Sequence, residues 1–307
     1  MHPEYSTTRI APKIAKKFGA KTVAIQHHHA HLCALMAEHG LEEIVGIAAD
    51  GVGYGPDGKA WGGEVMVADF KSFTHVGGLK RQPMPGGDLA AIHPARMVAG
   101  ILWGELECQK IVHVLDEYCS RGFKRGAHER DVVLRQLERN INVTQGSGCG
   151  RVLDAISCLL GICSERTYEG EPAIKLEAAA ATGDDESVGL DVVTEMVDGK
   201  PTLDTSKLLV EVLSLLKRRV PRKHIAAAAQ SAVARGLASI AIDVAASKGM
   251  KIIGASGGVL CNRTIAMHMQ SAAEKAGLNF VRHKVLPPGD GCISIGQAAI
   301  AAHKKQL

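Results

Sequence analysis

Apolar residues recur at helical spacing over residues 8–18, thin to a short β-branched run at 21–25, and return to helical spacing over 30–39, where Gly40 supplies a stop. The opening therefore reads as helix, strand, helix. A strand is expected over 44–49, ending at Asp50-Gly51-Val52-Gly53-Tyr54-Gly55, with antiparallel strands over 62–70 and around 73–79. Residues 94–139 carry a helical pattern with polar insertions, 142–150 read as a Gly/Ser loop, and 151–160 as an apolar helix. Tyr168-Glu169-Gly170-Glu171-Pro172 breaks the chain before helix resumes over 173–181. Alternation over 188–197 predicts a strand with Asp198-Gly199 as its turn, and 203–249 is helical, its second part rich in alanine. The last third reads as strand 251–255, turn Ser256-Gly257-Gly258, helix 261–277, strand 280–284, loop 286–291 and helix 293–305. Strands separated by helices predict an α/β protein with a mainly parallel sheet.

Composition narrows the function classes. With 46% hydrophobic residues among 307, the chain can bury a large core, which excludes global disorder or a coiled coil. Lys plus Arg exceed Asp plus Glu by 36 to 32, too slight an excess to point to nucleic acid or a membrane surface. The one basic run, Lys217-Arg218-Arg219-Val220-Pro221-Arg222-Lys223, reads as a solvated helix end before a proline-initiated helix. No stretch reaches the roughly 18 uninterrupted apolar residues of a membrane span, and Met1-His2-Pro3-Glu4-Tyr5 does not open a signal peptide. Eight cysteines without a CxxC pair, mostly in apolar runs, read as reduced core thiols of a cytoplasmic protein. Glycine makes up about one residue in nine, above the usual ~7%, and both glycines and histidines are bunched.

The bunching marks candidate chemistry. In Gln26-His27-His28-His29-Ala30-His31 the first and last histidines are four apart, so on a helix they share a face and can grip one cation, while His28 and His29 point elsewhere. The competing reading is a polar helix start. Asp50 and Asp290 each end a strand-like segment and precede glycine, which places both carboxylates at the carboxyl edge of the sheet, where open α/β sheets bind ligands. Each is otherwise an ordinary turn former. Gly51-Val52-Gly53-Tyr54-Gly55 and Ser256-Gly257-Gly258 let backbone N–H groups approach a phosphate. Neither is a Walker loop or a convincing dinucleotide fingerprint, which leaves an adenine nucleotide held between two lobes.

These blocks, with Trp61-Gly62-Gly63-Glu64, Pro83-Met84-Pro85-Gly86-Gly87-Asp88, Gly150-Arg151-Val152-Leu153-Asp154-Ala155, Tyr168-Glu169-Gly170-Glu171, Gly257-Gly258-Val259-Leu260-Cys261-Asn262-Arg263 and Leu286-Pro287-Pro288-Gly289-Asp290-Gly291, resemble the C-terminal carbamoyl-transfer domain of HypF-type hydrogenase maturation proteins. That domain is similar to the tRNA threonylcarbamoyl transferase TsaD and has the actin-like ATPase (ASKHA) α/β fold of two lobes. The resemblance implies a divalent metal, zinc or iron, at His27, His31, Asp50 and Asp290. It implies ATP or carbamoyl-adenylate at Asp50, Gly51, Gly53, Asp154, Gly170, Glu171, Gly257, Gly258 and Asn262. Nothing is carried over to Gly146-Ser147-Gly148-Cys149, which departs from the family pattern. The implied reaction moves a carbamoyl group from carbamoyl-adenylate to the C-terminal cysteine of the partner HypE, releasing AMP, toward the cyanide ligands of [NiFe] hydrogenase. Alternatives are TsaD-like transfer to tRNA and a catalytically incomplete nucleotide-binding scaffold. Residues 1–9 resemble an internal stretch of the family domain, so a truncated first lobe is expected over 1–43 and a second lobe over 44–307, with a separate chain as one source of the upstream domains.

Overall fold

The computed structural model describes residues 6–304. Residues 1–5, part of the stretch compared with an internal region of longer proteins and of the signal-peptide reading, and 305–307, with the expected end of the last helix, lie outside the described residues. The chain begins with helices α1 (Ser6–Lys17) and α2 (His27–His39), then strands β1 (Glu43–Tyr54), β2 (Ala60–Asp69), β3 (Phe73–Leu79) and β4 (Gln82–Pro85). A helical region follows: α3 (Asp88–Ile92), α4 (Pro94–Leu102), α5 (Cys108–Tyr118) and α6 (Ala127–Arg139), then β5 (Val143–Gly146), α7 (Cys149–Leu159) and α8 (Glu171–Ala180). The chain continues through β6 (Thr194–Val197), β7 (Lys200–Leu203), α9 (Thr205–Lys217), α10 (Arg222–Lys248), β8 (Ile252–Ser256), α11 (Arg263–Lys275), β9 (Asn279–Arg282) and α12 (Ile293–Lys304).

The sheet runs β6-β7-β3-β2-β1-β8-β9, with β5 beside β2 and β4. It is mixed, which corrects the mainly parallel expectation. β1, β8 and β9 are mutually parallel, whereas β1–β2, β2–β3, β4–β5 and β6–β7 are antiparallel. Short hairpins join consecutive strands in the first half, whereas strands separated by helices add in parallel, as β8 and β9 do beside β1, β7 beside β3 and β5 beside β2.

Alternation along β1 divides the core. Val45, Ile47 and Ala49 pack on one face with α4, α7, α10 and α11, while Ile44 and Ala48 face Leu32, Leu35 and Met36 of α2 and Ile300 of α12. Gly46 admits α2, because a Cβ there would sit 2.5 Å from the Leu32 side chain. α10 is long and apolar enough to cross a membrane by composition, yet 83% of its apolar window is buried inside the protein, as a core helix that is apolar all round should be. The basic run 217–223 lies at the exposed α9–α10 junction, as expected.

Several local expectations change. Residues 20–26 carry no regular structure, because β-branched propensity forms a strand only where a sheet recruits it. β1 does not stop at Asp50. It continues to Tyr54 through a register shift between Ala49 and Gly53, because β2 still offers Trp61 and Ala60 as partners. The expected loop 142–150 contains β5 and the start of α7, and the expected strand 188–197 shrinks to β6. Its turn holds, since Asp198 and Gly199 both have the positive φ, 50° and 73°, of a two-residue hairpin turn.

Candidate metal centre

α2 starts at His27 rather than at residue 30, because the Gln26 side chain caps it by accepting the His29 N–H. Helical geometry from the first histidine places His27 and His31 on one face. Their ring centroids are 4.9 Å apart. His29 turns away, with Nε2 2.7 Å from the Asp69 carbonyl, and His28 packs beside Trp61 with Gln26 Nε2 donating to its Nδ1 at 3.0 Å. Burial, then the His27 charge, pushes His28 well below the usual histidine range, which keeps it neutral.

Asp50 lies in β1 on the side of the strand that faces α2. Its Oδ2 is 2.9 Å from His27 Nε2 and 3.7 Å from His31 Nε2. Its Oδ1 accepts the N–H groups of Gly51 and Gly258 at 2.8 and 3.3 Å, which fixes the carboxylate. Asp290 completes the set, with Oδ1 3.7 Å from His27 Nε2 and 3.4 Å from His31 Nε2. It does not end a strand. β9 stops at Arg282, and Asp290 opens a short 3-10 turn that leads into α12. Among the described residues, His27, His31, Asp50 and Asp290 bring one ligand atom each within 4.8 Å of one another.

The four residues fit a divalent cation. A tetrahedral site with metal–ligand bonds of about 2.0–2.2 Å has ligand–ligand edges of about 3.3–3.6 Å, and the nitrogen–oxygen separations of 2.9–3.7 Å bracket that value. His31 Nε2 is buried without a hydrogen-bond partner. Two imidazoles with two carboxylates suit zinc or iron better than magnesium. Burial alone would raise Asp50, but His27 and His31 hold its carboxyl well below the usual range; conversely, burial alone would lower His31, but Asp290 and Asp50 raise it well above. A proton on His31 thus balances the carboxylates where a cation would. Asp290 is exposed at 64% of its side chain, against 12% for Asp50, so the site opens on the Asp290 side.

The glycine clusters pack the backbone around Asp50. A Cβ on Gly150 would lie 2.9 Å from Gly51 Cα, one on Gly257 2.2 Å from the Ala49 carbonyl oxygen, and one on Gly53 2.5 and 2.6 Å from the His28 and His27 rings. The amides of Gly51 and Gly258 point to Asp50, and that of Gly257 to the Pro288 carbonyl, so each already has a protein acceptor. Asn262 caps α11 by accepting the Ile265 N–H and donates to Gln230 at 2.6 Å. Glu177, which the sequence reading missed, accepts the Arg263 and Thr264 N–H groups at the same helix start, a position that favours an anion.

The other expected nucleotide residues lie along α7 and α8. Asp154 is fully buried and paired with Arg151 at 2.6 Å; burial raises its carboxyl, and Arg151 opposes that rise. Arg151, rather than Asp154, faces Gly51. Gly170 takes φ 75° as the residue before α8, and Glu171 is held down to about 2 by Lys175 and Thr167. α8 carries Glu177 to the start of α11, which links the Tyr168–Glu171 turn to the Gly257–Asn262 turn.

Residues 46–297 match the family described as carbamoyltransferase, Kae1-like domain, second subdomain, and residues 1–38 match the HypF Kae1-like domain. The carbamoyltransferase HypF homolog of Cupriavidus necator is 34% identical over 316 residues, covering 99% of this chain and 77% of its own length. The crystal structure of T. kodakarensis HypF superposes with a TM-score of 0.92 at 36% identity, covering 99% of this chain and 40% of that one. A full-length HypF in a phosphate- and nucleotide-bound form gives 0.87 at 29% identity, covering 100% and 46%. The chain spans about two-fifths of the length of most such relatives. Its sheet and flanking helices are those of the actin-like α/β fold, and the chain belongs to the HypF carbamoyltransferase family, within which it corresponds to the Kae1-like domain.

Proposed function

We propose that this chain transfers a carbamoyl group from carbamoyl-adenylate to the C-terminal cysteine thiol of HypE, releasing AMP, as a step toward the cyanide ligands of [NiFe] hydrogenase. One observation carries the reading: two imidazoles and two carboxylates converge at His27, His31, Asp50 and Asp290 in a member of the HypF family. In the reaction the sulfur–carbon bond forms, the bond between the carbamoyl carbon and the phosphate oxygen breaks with its electron pair leaving on AMP, and the thiol proton passes to solvent water. His27, His31, Asp50 and Asp290 would hold a zinc or iron ion, which would supply Lewis-acid stabilisation of the developing negative charge. The protein's own part is to orient the ligands. Gly51 and Gly258 fix Asp50, and the exposed Asp290 leaves a side open to the incoming thiol.

The nucleotide is proposed to lie along Asp50, Gly51, Gly53, Asp154, Gly170, Glu171, Gly257, Gly258 and Asn262. A HypF relative in a phosphate- and nucleotide-bound form supports nucleotide binding as such. Because the N–H groups at the start of α11 already have the Glu177 carboxylate as partner, Glu177 would have to yield to a phosphate entering there. Carbamoyl-adenylate is proposed to come from domains outside these 307 residues, in the same polypeptide or a separate chain. Eight unpaired cysteines support a reducing, cytoplasmic location.

The test is incubation with carbamoyl-adenylate and either HypE or tRNA, followed by mass analysis of the acceptor. A mass gain equal to one carbamoyl group on HypE is expected; modification of tRNA alone would overturn the reading. Replacing His27 and His31 together by alanine is expected to abolish both metal uptake and transfer, and undiminished transfer would exclude the metal from the reaction.

A further inference from the structure

Behind the metal centre, a second set of polar groups faces α2 from the neighbouring strands. Ser256, at the end of β8, pairs with Ala48 of β1, and that register turns its side chain toward His31. Ser256 Oγ lies 3.3 Å from His31 Nδ1 and 3.0 Å from Nε2 of His283, which follows β9. His283 Nδ1 lies 2.6 Å from Glu38 Oε2. Glu38 is seven residues, two helical turns, beyond His31 on α2, and its Oε1 accepts the N–H groups of Lys284 and Val285, both at 2.7 Å. Ser256, His31 and His283 lie apart in sequence and no local motif joins them; Ser256 and His31 meet only through the sheet.

The directions of these bonds follow from donor chemistry. Glu38, a carboxylate, can only accept, so His283 donates through Nδ1. Besides His31, the Ser256 hydroxyl hydrogen has three acceptors in reach: His283 Nε2, the Pro288 carbonyl at 3.3 Å and Cys292 Sγ at 3.9 Å. Whether His283 is neutral or protonated, the serine hydrogen therefore has somewhere to go other than His31. The Ser256 oxygen is left to accept from His31 Nδ1. Cys292 Sγ, 3.3 Å from the same nitrogen, offers a second acceptor.

We propose that Glu38, His283 and Ser256 form a hydrogen-bonded relay that keeps the His31 proton on Nδ1 and directs the Nε2 lone pair at the metal. The inference rests on the metal reading above. His283 is a positioning residue: it touches neither the metal position nor the substrate, and acts through Ser256. Glu38 has a second effect, because by holding Lys284 and Val285 it also anchors the start of the segment that delivers Asp290. One carboxylate on α2 thus orients a ligand from its own helix and secures the approach of another from across the sheet. Outer partners of this kind commonly contribute about 10–100-fold to metal affinity.

The test uses the protein with zinc as the probe. Nitrogen-15 correlation spectra of histidine-labelled, zinc-loaded wild type should show His31 bound through Nε2 with its proton on Nδ1. Competition with a chromophoric chelator should show zinc affinity falling about 10–100-fold in Ser256→Ala and His283→Phe, with the metal-free variants remaining folded by circular dichroism. The spectrum of the wild type needs no variant to fold. Wild type that takes up no zinc overturns the metal centre and the relay with it. One zinc bound with His31 attached through Nδ1, or with folded Ser256→Ala and His283→Phe both binding as tightly as wild type, overturns the relay alone.

Discussion

Gly53 shows how a single missing side chain serves the site. A Cβ there would enter the space of the His28 and His27 rings, so Gly53→Ala must move one of them or bend β1. Overpacking of this kind costs about 1–3 kcal/mol; a lower thermal unfolding midpoint and weaker zinc binding are expected, and an unchanged midpoint would contradict the packing argument. Asn262 separates a structural role from a ligand role. Removing its cap in Asn262→Ala should destabilise the nucleotide-free protein by about 1 kcal/mol, and the lost donor to buried Gln230 adds to that. Full stability without nucleotide would assign the residue to the ligand alone. Glu38 gives a pH dependence. Burial opposes ionisation, but the Val285 amide, His283 and the Lys284 amide hold its carboxyl down to about 2 from an ordinary 4.5. A carboxyl depressed on folding stabilises the protein above its unfolded value, and that stabilisation is lost as pH falls from about 4.5 toward about 2. Glu38→Gln is expected to be less stable at neutral pH and to show a flatter stability profile across that window; equal slopes in an acid titration followed by fluorescence would refute the assignment.

Among the elements, α2 organises the metal site, and α12 holds α2 in place. Their backbones approach closely at Gly296, where a Cβ would lie 1.8 Å from the Ala30 carbonyl oxygen. Since Ala30 precedes His31, Gly296→Ala should push the helices apart and disturb the ligand as well as the packing. A loss of at least about 1–3 kcal/mol in denaturant unfolding, with weaker zinc binding in the same variant, is the expected result. Stability loss with unaltered zinc affinity would show that the helix contact and the ligand geometry are independent. The helix itself was legible in the sequence, because helical spacing, a histidine spacing of four and the terminal Gly40 are all local signals. Its start was placed too late, since Gln26 caps through a side chain that apolar periodicity does not register.

For the whole molecule, the burial pattern predicts unequal local stability. α1 buries none of its residues, while β1, β2 and α10 lie in or against the core. Hydrogen exchange followed by mass spectrometry should find α1 amides exchanging fastest and those of β1, β2 and α10 slowest. Protection of α1 equal to that of β1 in the isolated chain would show that the helix has a partner surface. The mixed sheet order explains why the overall architecture was only partly legible. Hairpin and helical connections could be counted along the chain, whereas the pairing of β3 with β7 and of β2 with β5 joins segments far apart in sequence.

The sequence by itself determined most of the elements, the shared face of His27 and His31, and the motif order that marks the family, because each depends on neighbouring residues or on short spacings. Only the tertiary structure decided that Asp50 and Asp290 meet those histidines, that glycines close the backbone around Asp50, and that Glu38 reaches His31 through His283 and Ser256. Those contacts are set by strand register and helix packing, which bring together residues more than two hundred positions apart and leave no periodic trace in the chain.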